Sequence, residues 1–257
     1  MHPLFVLAPA IALVVACATG TPQQAAVPVE AAPAPEPEPI ERPIPQDSLY
    51  PLLVAEFALR RREYGTALEQ YLEQADILRD PSVSAHTTHL AQFMQQEPEA
   101  LRSVQLWVEL EPDNMEANNT LATLLVRQGR SLEALPHLAV VLEKGGDPKF
   151  PILLNNFENL SPQQQSELVG GLNGLAADNP DNIQLALTQA LILAQYKQYG
   201  PAGDKLDTIF ELEPYQHQAI LLEAKLLIEQ DDPKPFTRLE AALDKNPDDQ
   251  RLRLQYA

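Results

Sequence analysis

The 257-residue chain holds few side chains of the kinds that carry covalent chemistry, and their spacing argues against a catalytic centre. It has one cysteine, Cys17, which can form neither an intramolecular disulfide nor a thiolate metal cage. His86 and His89 stand three apart on a predicted helix, a spacing that lets two imidazoles share a metal ion. No cysteine or third histidine is placed to complete such a site, so both read as surface or groove residues. No serine sits in a G-x-S-x-G turn, and no glycine-rich phosphate loop is present. The run Gly170-Gly171-Leu172-Asn173-Gly174 falls inside a helical segment, where it loosens a helix rather than cradling an anion. Glu109 and Glu111 flank a turn and read as solvated. The sequence therefore predicts no catalytic residue, no metal and no cofactor. An enzyme or small-ligand-binding domain is the alternative of another class.

Composition narrows the partners. The formal net charge is -18, aromatics make up only 6%, and 45% of residues are hydrophobic. Such a chain builds a helical core more readily than a sheet. Its bulk charge repels nucleic acid and anionic membrane surfaces, so the expectation is that membrane attachment comes from something other than a basic patch.

The N-terminus supplies one. Pro3 to Ala16 are almost wholly apolar. The run is too short to span a bilayer, which takes about 20 residues of helix. It fits the apolar core of a signal peptide. It ends in Val14-Val15-Ala16-Cys17, which resembles a bacterial lipobox, although His2 stands where Lys or Arg is usual. The resemblance implies cleavage after residue 16 and lipidation of Cys17. Ala18 after the cysteine, rather than Asp, implies the outer membrane, facing the periplasm. Residues 17–47 read as a disordered tether: proline recurs from Pro22 to Pro45 among Ala and Glu, with few large apolar side chains to pack. In polyproline II such a tether reaches roughly 90 Å.

From Ser48 to Ala257 the pattern turns helical, and turn tetrads recur: Glu111-Pro112-Asp113-Asn114, Asn179-Pro180-Asp181-Asn182, Glu213-Pro214-Tyr215-Gln216 and Asn246-Pro247-Asp248-Asp249. Pro180, Pro214 and Pro247 follow one another at a single period of about 34 residues, and Pro112 precedes Pro180 by two such periods. That period is the tetratricopeptide-repeat signature. Small residues recur in register with it: Ala55 and Ala67, Ala122 and Ala134, Ala190 and Ala202. Two helix backbones can approach closely only where side chains are small. The second repeat keeps Ala100 but has Thr88 at the other small position. The repeat from Lys149 to Pro180 has Asn156 and Leu168 there and reads as degenerate. The predicted fold is all-α: a right-handed tetratricopeptide-repeat solenoid of antiparallel helix pairs, about six repeats over 48–257, cut short at its C-terminal end.

Repeats of this type resemble one another in binding partner segments along the first helix of each pair. The corresponding positions are Leu52, Glu56 and Arg60; His89 and Phe93; Asn119, Thr123 and Arg127; Leu187 and Leu191; Leu221 and Lys225. Apolar side chains there would anchor a partner, and Arg60 and Arg127 would pair with a carboxylate.

The stretch Ser48-Leu49-Tyr50-Pro51-Leu52-Leu53-Val54-Ala55-Glu56-Phe57-Ala58, with Ala67-Leu68-Glu69-Gln70-Tyr71 and Arg79-Asp80-Pro81, is similar to the opening of a pseudomonad outer-membrane lipoprotein family. That family serves as adaptor to a periplasmic carboxyl-terminal processing protease. Its members are about twice this length, which implies that the chain is part of a longer array. The resemblance implies a scaffold that binds the protease and presents substrates such as peptidoglycan hydrolases. A role in assembling a pilus secretin or outer-membrane proteins is the alternative within the same binding class.

Overall fold

A computed structural model describes residues 44–256; the expected signal peptide, Cys17 and most of the tether lie outside the described residues. Every regular element in them is helical. The helices are α1 (Gln46–Arg60), α2 (Tyr64–Leu78), α3 (Pro81–Phe93), α4 (Glu97–Leu110), α5 (Met115–Arg127), α6 (Ser131–Glu143), α7 (Pro162–Asp178), α8 (Ile183–Gln195), α9 (Tyr199–Leu212), α10 (His217–Glu229), α11 (Thr237–Lys245) and α12 (Gln250–Tyr256). Each helix packs chiefly on its near neighbours along the chain. Short connections force successive helices antiparallel, and contacts confined to near neighbours make this a solenoid rather than a bundle around one core.

The turn inside five of the six pairs has a single construction. Arg62, Gln95, Gly129, Lys197 and Asp231 occupy the same repeat position and are all left-handed, with φ between 55° and 75°. The next residue closes a six-residue loop back to the helix: Glu63 N–H donates to Ala58 O at 2.9 Å, and Gln96 to Ala91, Arg130 to Leu125, Gln198 to Leu193 and Asp232 to Leu227 do likewise. This is a Schellman ending, which satisfies carbonyls the helix leaves orphaned. Only one of the five sites is glycine. A non-glycine residue in this region costs on the order of 1 kcal/mol, and the repeated hydrogen bonds offset it.

The turns between pairs explain the tetrads. Their last residue caps the following helix: Asn114 Oδ1 accepts from Ala117 N at 3.0 Å, Asn182 from Leu185 N at 2.9 Å, Gln216 from Ala219 N at 2.6 Å, and Asp249 from Leu252 N at 3.1 Å. Asp80 does the same for α3. A side-chain oxygen at this position meets an otherwise unpaired helix N–H.

The small-residue register holds. Ala55, Ala67, Ala100, Ala122, Ala134, Ala190 and Ala202 are all 0% exposed. Thr88 fills its small position because its hydroxyl donates to Ser84 O at 2.8 Å, so nothing polar is left unpaired.

The fourth repeat breaks the pattern. Where a first helix is expected, the chain forms two 3₁₀ turns, Phe150–Leu154 and Phe157–Asn159, separated by Asn156 at φ 61°. Pro148 and Pro151 remove donors from what would be its first turn. With no helix to cross, the small positions lose their purpose. Asn156 becomes a turn residue, and Leu168 of α7 fills the space with Phe150, Leu153, Phe157 and Leu172. The glycine run lies in the middle of α7. A Cβ on Gly171 would stand 2.5 Å from Leu135 Cδ2, so this glycine lets α7 lie close against α6. The sixth pair also departs: α11 has only 9 residues, because Pro233 and Pro235 occupy its expected first turn and Phe236 its small position.

Buried side chains form two clusters that meet in α8. Leu185 and Ile192 belong to the cluster that runs back to Ala55, while Leu187 and Ala190 belong to the one that runs on to Leu252.

One polar contact inside the third repeat is pH-sensitive. Asn118 is 1% exposed and its amide N–H₂ donates to Pro112 O and Asn114 O, so its Oδ1 must face His137 Nδ1, 2.8 Å away. The ring therefore donates from Nδ1. Burial lowers the His137 pKa from its ordinary value, with Glu133 opposing. A lowered folded pKa means that stability is whole above the unfolded value near 6.5 and falls as pH drops through it. The parent should lose stability relative to His137→Gln between about pH 7.5 and 5.5. A constant gap in melting temperature over that range would contradict this.

Candidate partner-binding face

The expected groove residues fall on the first helices and divide into three groups. On α1, Leu52 is half-buried against the core and Arg60 is exposed. Glu56 is exposed and accepts a 2.5 Å hydrogen bond from Tyr71 Oη. Burial, with the Glu56 carboxylate adding to it, holds the Tyr71 phenol well above its usual pKa, so it is a fixed donor.

On α3 and α5 the expected residues are largely engaged with neighbouring side chains. His89 Nε2 lies 3.0 Å from Glu116 Oε1, and its ring meets Trp107 edge-on at 5.7 Å. The His86 ring leans on Tyr71 at 4.7 Å. Among the described residues no group of three or more His, Cys, Asp or Glu converges as a metal ion requires. Phe93 is 68% exposed and touches Tyr64 edge-on at 5.3 Å. Asn119 is exposed, and its carbonyl accepts from Thr123 Oγ1 at 2.8 Å. Arg127 Nη1 lies 3.4 Å from Glu97 Oε1, a solvated pair that contributes little to stability.

On α8 and α10 the chain opens. The collapsed first helix of the fourth repeat leaves two clefts on the first-helix face. One, of ≈ 600 Å³, lies between Ile152, Gln184 on α8, and His217 and Leu221 on α10. The other, of ≈ 430 Å³, is lined by Leu154, Glu158, Leu191, Lys225 and Glu229 among others. Leu191, Leu221 and Lys225 are thus brought to cleft walls. Arg127 lines a smaller cleft of ≈ 360 Å³ with Gln92, Gln95 and Glu97.

Leu187 departs from the expectation. It is 1% exposed and packs in the second cluster, because its row on α8 faces α9 and α10 rather than solvent. It presents no surface to a partner.

The sequence did not point to Gln184, His217 or Ile152. Among the described residues the Gln184 Oε1 is buried with no hydrogen-bond partner, leaving an acceptor at the wall of the larger cleft. His217 Nε2 lies 2.7 Å from Asp249 Oδ2. The signal that could have found them is the pair of prolines at 148 and 151, which forbids a normal first helix and so predicts a gap beside α8.

The arrangement suits recognition: apolar floors, rims of Lys and Glu, and carboxamides that both donate and accept. Among the described residues no helix is long and apolar enough to cross a membrane.

The chain matches no family model. It is 34% identical over 217 residues to a tetratricopeptide-repeat-containing protein of Pseudomonas aeruginosa, covering 82% of this chain and 36% of that protein. The chain thus spans little more than a third of that relative. Among solved structures it is similar to PilW, a type IV pilus biogenesis factor (20% identity, TM-score 0.48, 83% of this chain and 100% of that one). It is also similar to YrrB, a repeat protein with an unusual peptide-binding site (17% identity, TM-score 0.43, 74% of this chain and 98% of that one). The regular repeat period, the buried alanine register and the repeated turn chemistry together give this chain a tetratricopeptide-repeat fold.

Proposed function

We propose that the chain is a lipid-anchored periplasmic scaffold whose first-helix face binds a carboxyl-terminal processing protease and presents substrates such as peptidoglycan hydrolases. The observation that carries the binding role is the pair of clefts beside the interrupted fourth repeat, which brings Leu191, Leu221 and Lys225 to accessible walls. The likeness of its opening segment to protease-adaptor lipoproteins supports the choice of partner. The scaffold contributes no catalytic group in this reading; the protease supplies the chemistry.

The test is affinity purification from cell envelopes after mild cross-linking. The processing protease should co-purify with the parent, and Leu221→Ser with Lys225→Glu should lower its recovery by about tenfold or more, as loss of a buried anchor does. Recovery of a pilus secretin or a barrel-assembly component in its place would overturn the adaptor reading. In the same cells Cys17→Ser should let a high-salt wash release the protein from the membrane fraction; retention through that wash would overturn the lipid anchor at that residue.

A further inference from the structure

The exposed face of α1 is unlike the rest of the surface. Leu49, Leu53 and Phe57 follow one another at four-residue spacing and are 52%, 47% and 58% exposed; Tyr50 beside them is 75% exposed. On a helical surface, neighbours along one row stand three or four positions apart, so Arg60 and Arg61 continue the row from Phe57. Arg62 follows immediately. All three arginines are exposed, and none takes part in the ion pairs of the described residues. Glu56 borders the row, but its carboxylate is engaged by the Tyr71 hydroxyl; Glu63 follows the triplet and begins the turn into α2.

In a chain with 18 basic and 36 acidic residues, three consecutive unpaired arginines gather positive charge at one end of an aromatic-aliphatic row, with Asp47 at its other end. The bulk charge predicts repulsion from an anionic surface. At physiological salt, however, charges more than about 8 Å from the contact are screened, so the contact face decides.

We infer that this face of α1 rests on an anionic lipid surface. Leu49, Tyr50, Leu53 and Phe57 enter the boundary between headgroups and acyl chains, and Arg60, Arg61 and Arg62 pair with lipid phosphates. A row on a single exposed helix offers no groove to grip a peptide, whereas a bilayer surface presents apolar and anionic groups at adjacent depths along its whole plane. Guanidinium groups match phosphate oxygens in a two-pronged geometry. The helix begins at Gln46, so a lipid anchor at Cys17 would keep the face at high local concentration near the membrane.

The experiment uses the chain from residue 17 onward with Cys17→Ser, so that neither leader nor acyl group can bind lipid. It measures flotation with extruded vesicles of phosphatidylglycerol and phosphatidylcholine in equal parts, against vesicles of phosphatidylcholine alone. Three arginines at an anionic surface should raise partitioning on the order of 100-fold over neutral vesicles at physiological salt, and molar salt should erase the difference. The triple variant Arg60→Gln, Arg61→Gln, Arg62→Gln should bind both vesicles alike, and Phe57→Ser should weaken anionic binding about tenfold, each with parental helicity. Absence of anionic binding, or equal binding by parent and triple variant, would overturn the inference. So would a mass that doubles with concentration through Phe57 while vesicles remain unbound, since the face would then serve a second copy. Because no acyl group is present, the result stands apart from both the lipid anchor and the protease partner.

Discussion

Ala122→Trp should lower the melting temperature by roughly 6–12 °C, the shift that about 3 kcal/mol produces in a domain of this size. Ala122 on α5 is 0% exposed, as is Ala134 on α6, its counterpart in the repeat register. An indole cannot fit where two helix backbones approach, so the helices must separate or the ring must leave the interface. Ala190→Trp should behave alike, because Ala190 and Ala202 hold the same positions between α8 and α9. Asn119→Trp, on the exposed face of α5, is the control and should shift the midpoint by only a degree or two. Equal melting temperatures for Ala122→Trp and the parent would show that the small positions do not mark the crossings.

Phe157→Ala should cost about 3–5 kcal/mol and split unfolding into two transitions. Phe157 is 2% exposed in the 3₁₀ segment that replaces the fourth first helix, and its ring meets Tyr196, which caps the end of α8, edge-on at 6.3 Å. α8 is where the two buried clusters meet, with Leu185 and Ile192 on one side and Leu187 and Ala190 on the other. In a stack held by neighbour contacts, a weakened joint lets the parts unfold separately. The chain has a single tryptophan, Trp107, which sits in the first cluster. Its fluorescence therefore follows the N-terminal repeats, while circular dichroism follows all helices. After Phe157→Ala the urea midpoints from the two probes should separate. Coincident midpoints at the parental value would mean that the segment around Phe157 does not couple the clusters.

The helix pairs themselves were legible in the sequence, because their causes are local. A proline-bearing tetrad, recurring with the repeat, caps a helix with its own last side chain, as at Asn114 and Asn182. Alanine at fixed offsets marks where backbones meet. These are rules of hydrogen bonding and steric size that act within a few positions along the chain, so spacing alone reveals them. The left-handed turn position was visible only at Gly129. At Arg62, Gln95, Lys197 and Asp231 the same backbone is imposed by the Schellman hydrogen bonds and the docking of the second helix rather than by residue type.

What only the tertiary structure decided is the site. Whether a first-helix residue faces a partner or the next repeat depends on how far neighbouring helices are rotated and how long each is. Leu187 and Leu191 are one turn apart on α8, yet one is core and the other lines a cleft. The clefts exist because one helix is missing from the stack, and their walls come from segments far apart in the chain, such as those of Ile152 and His217. The amino-acid order specifies each helix pair through near-neighbour forces. Shape between pairs arises from the packing of surfaces distant along the chain, which the repeat period leaves open.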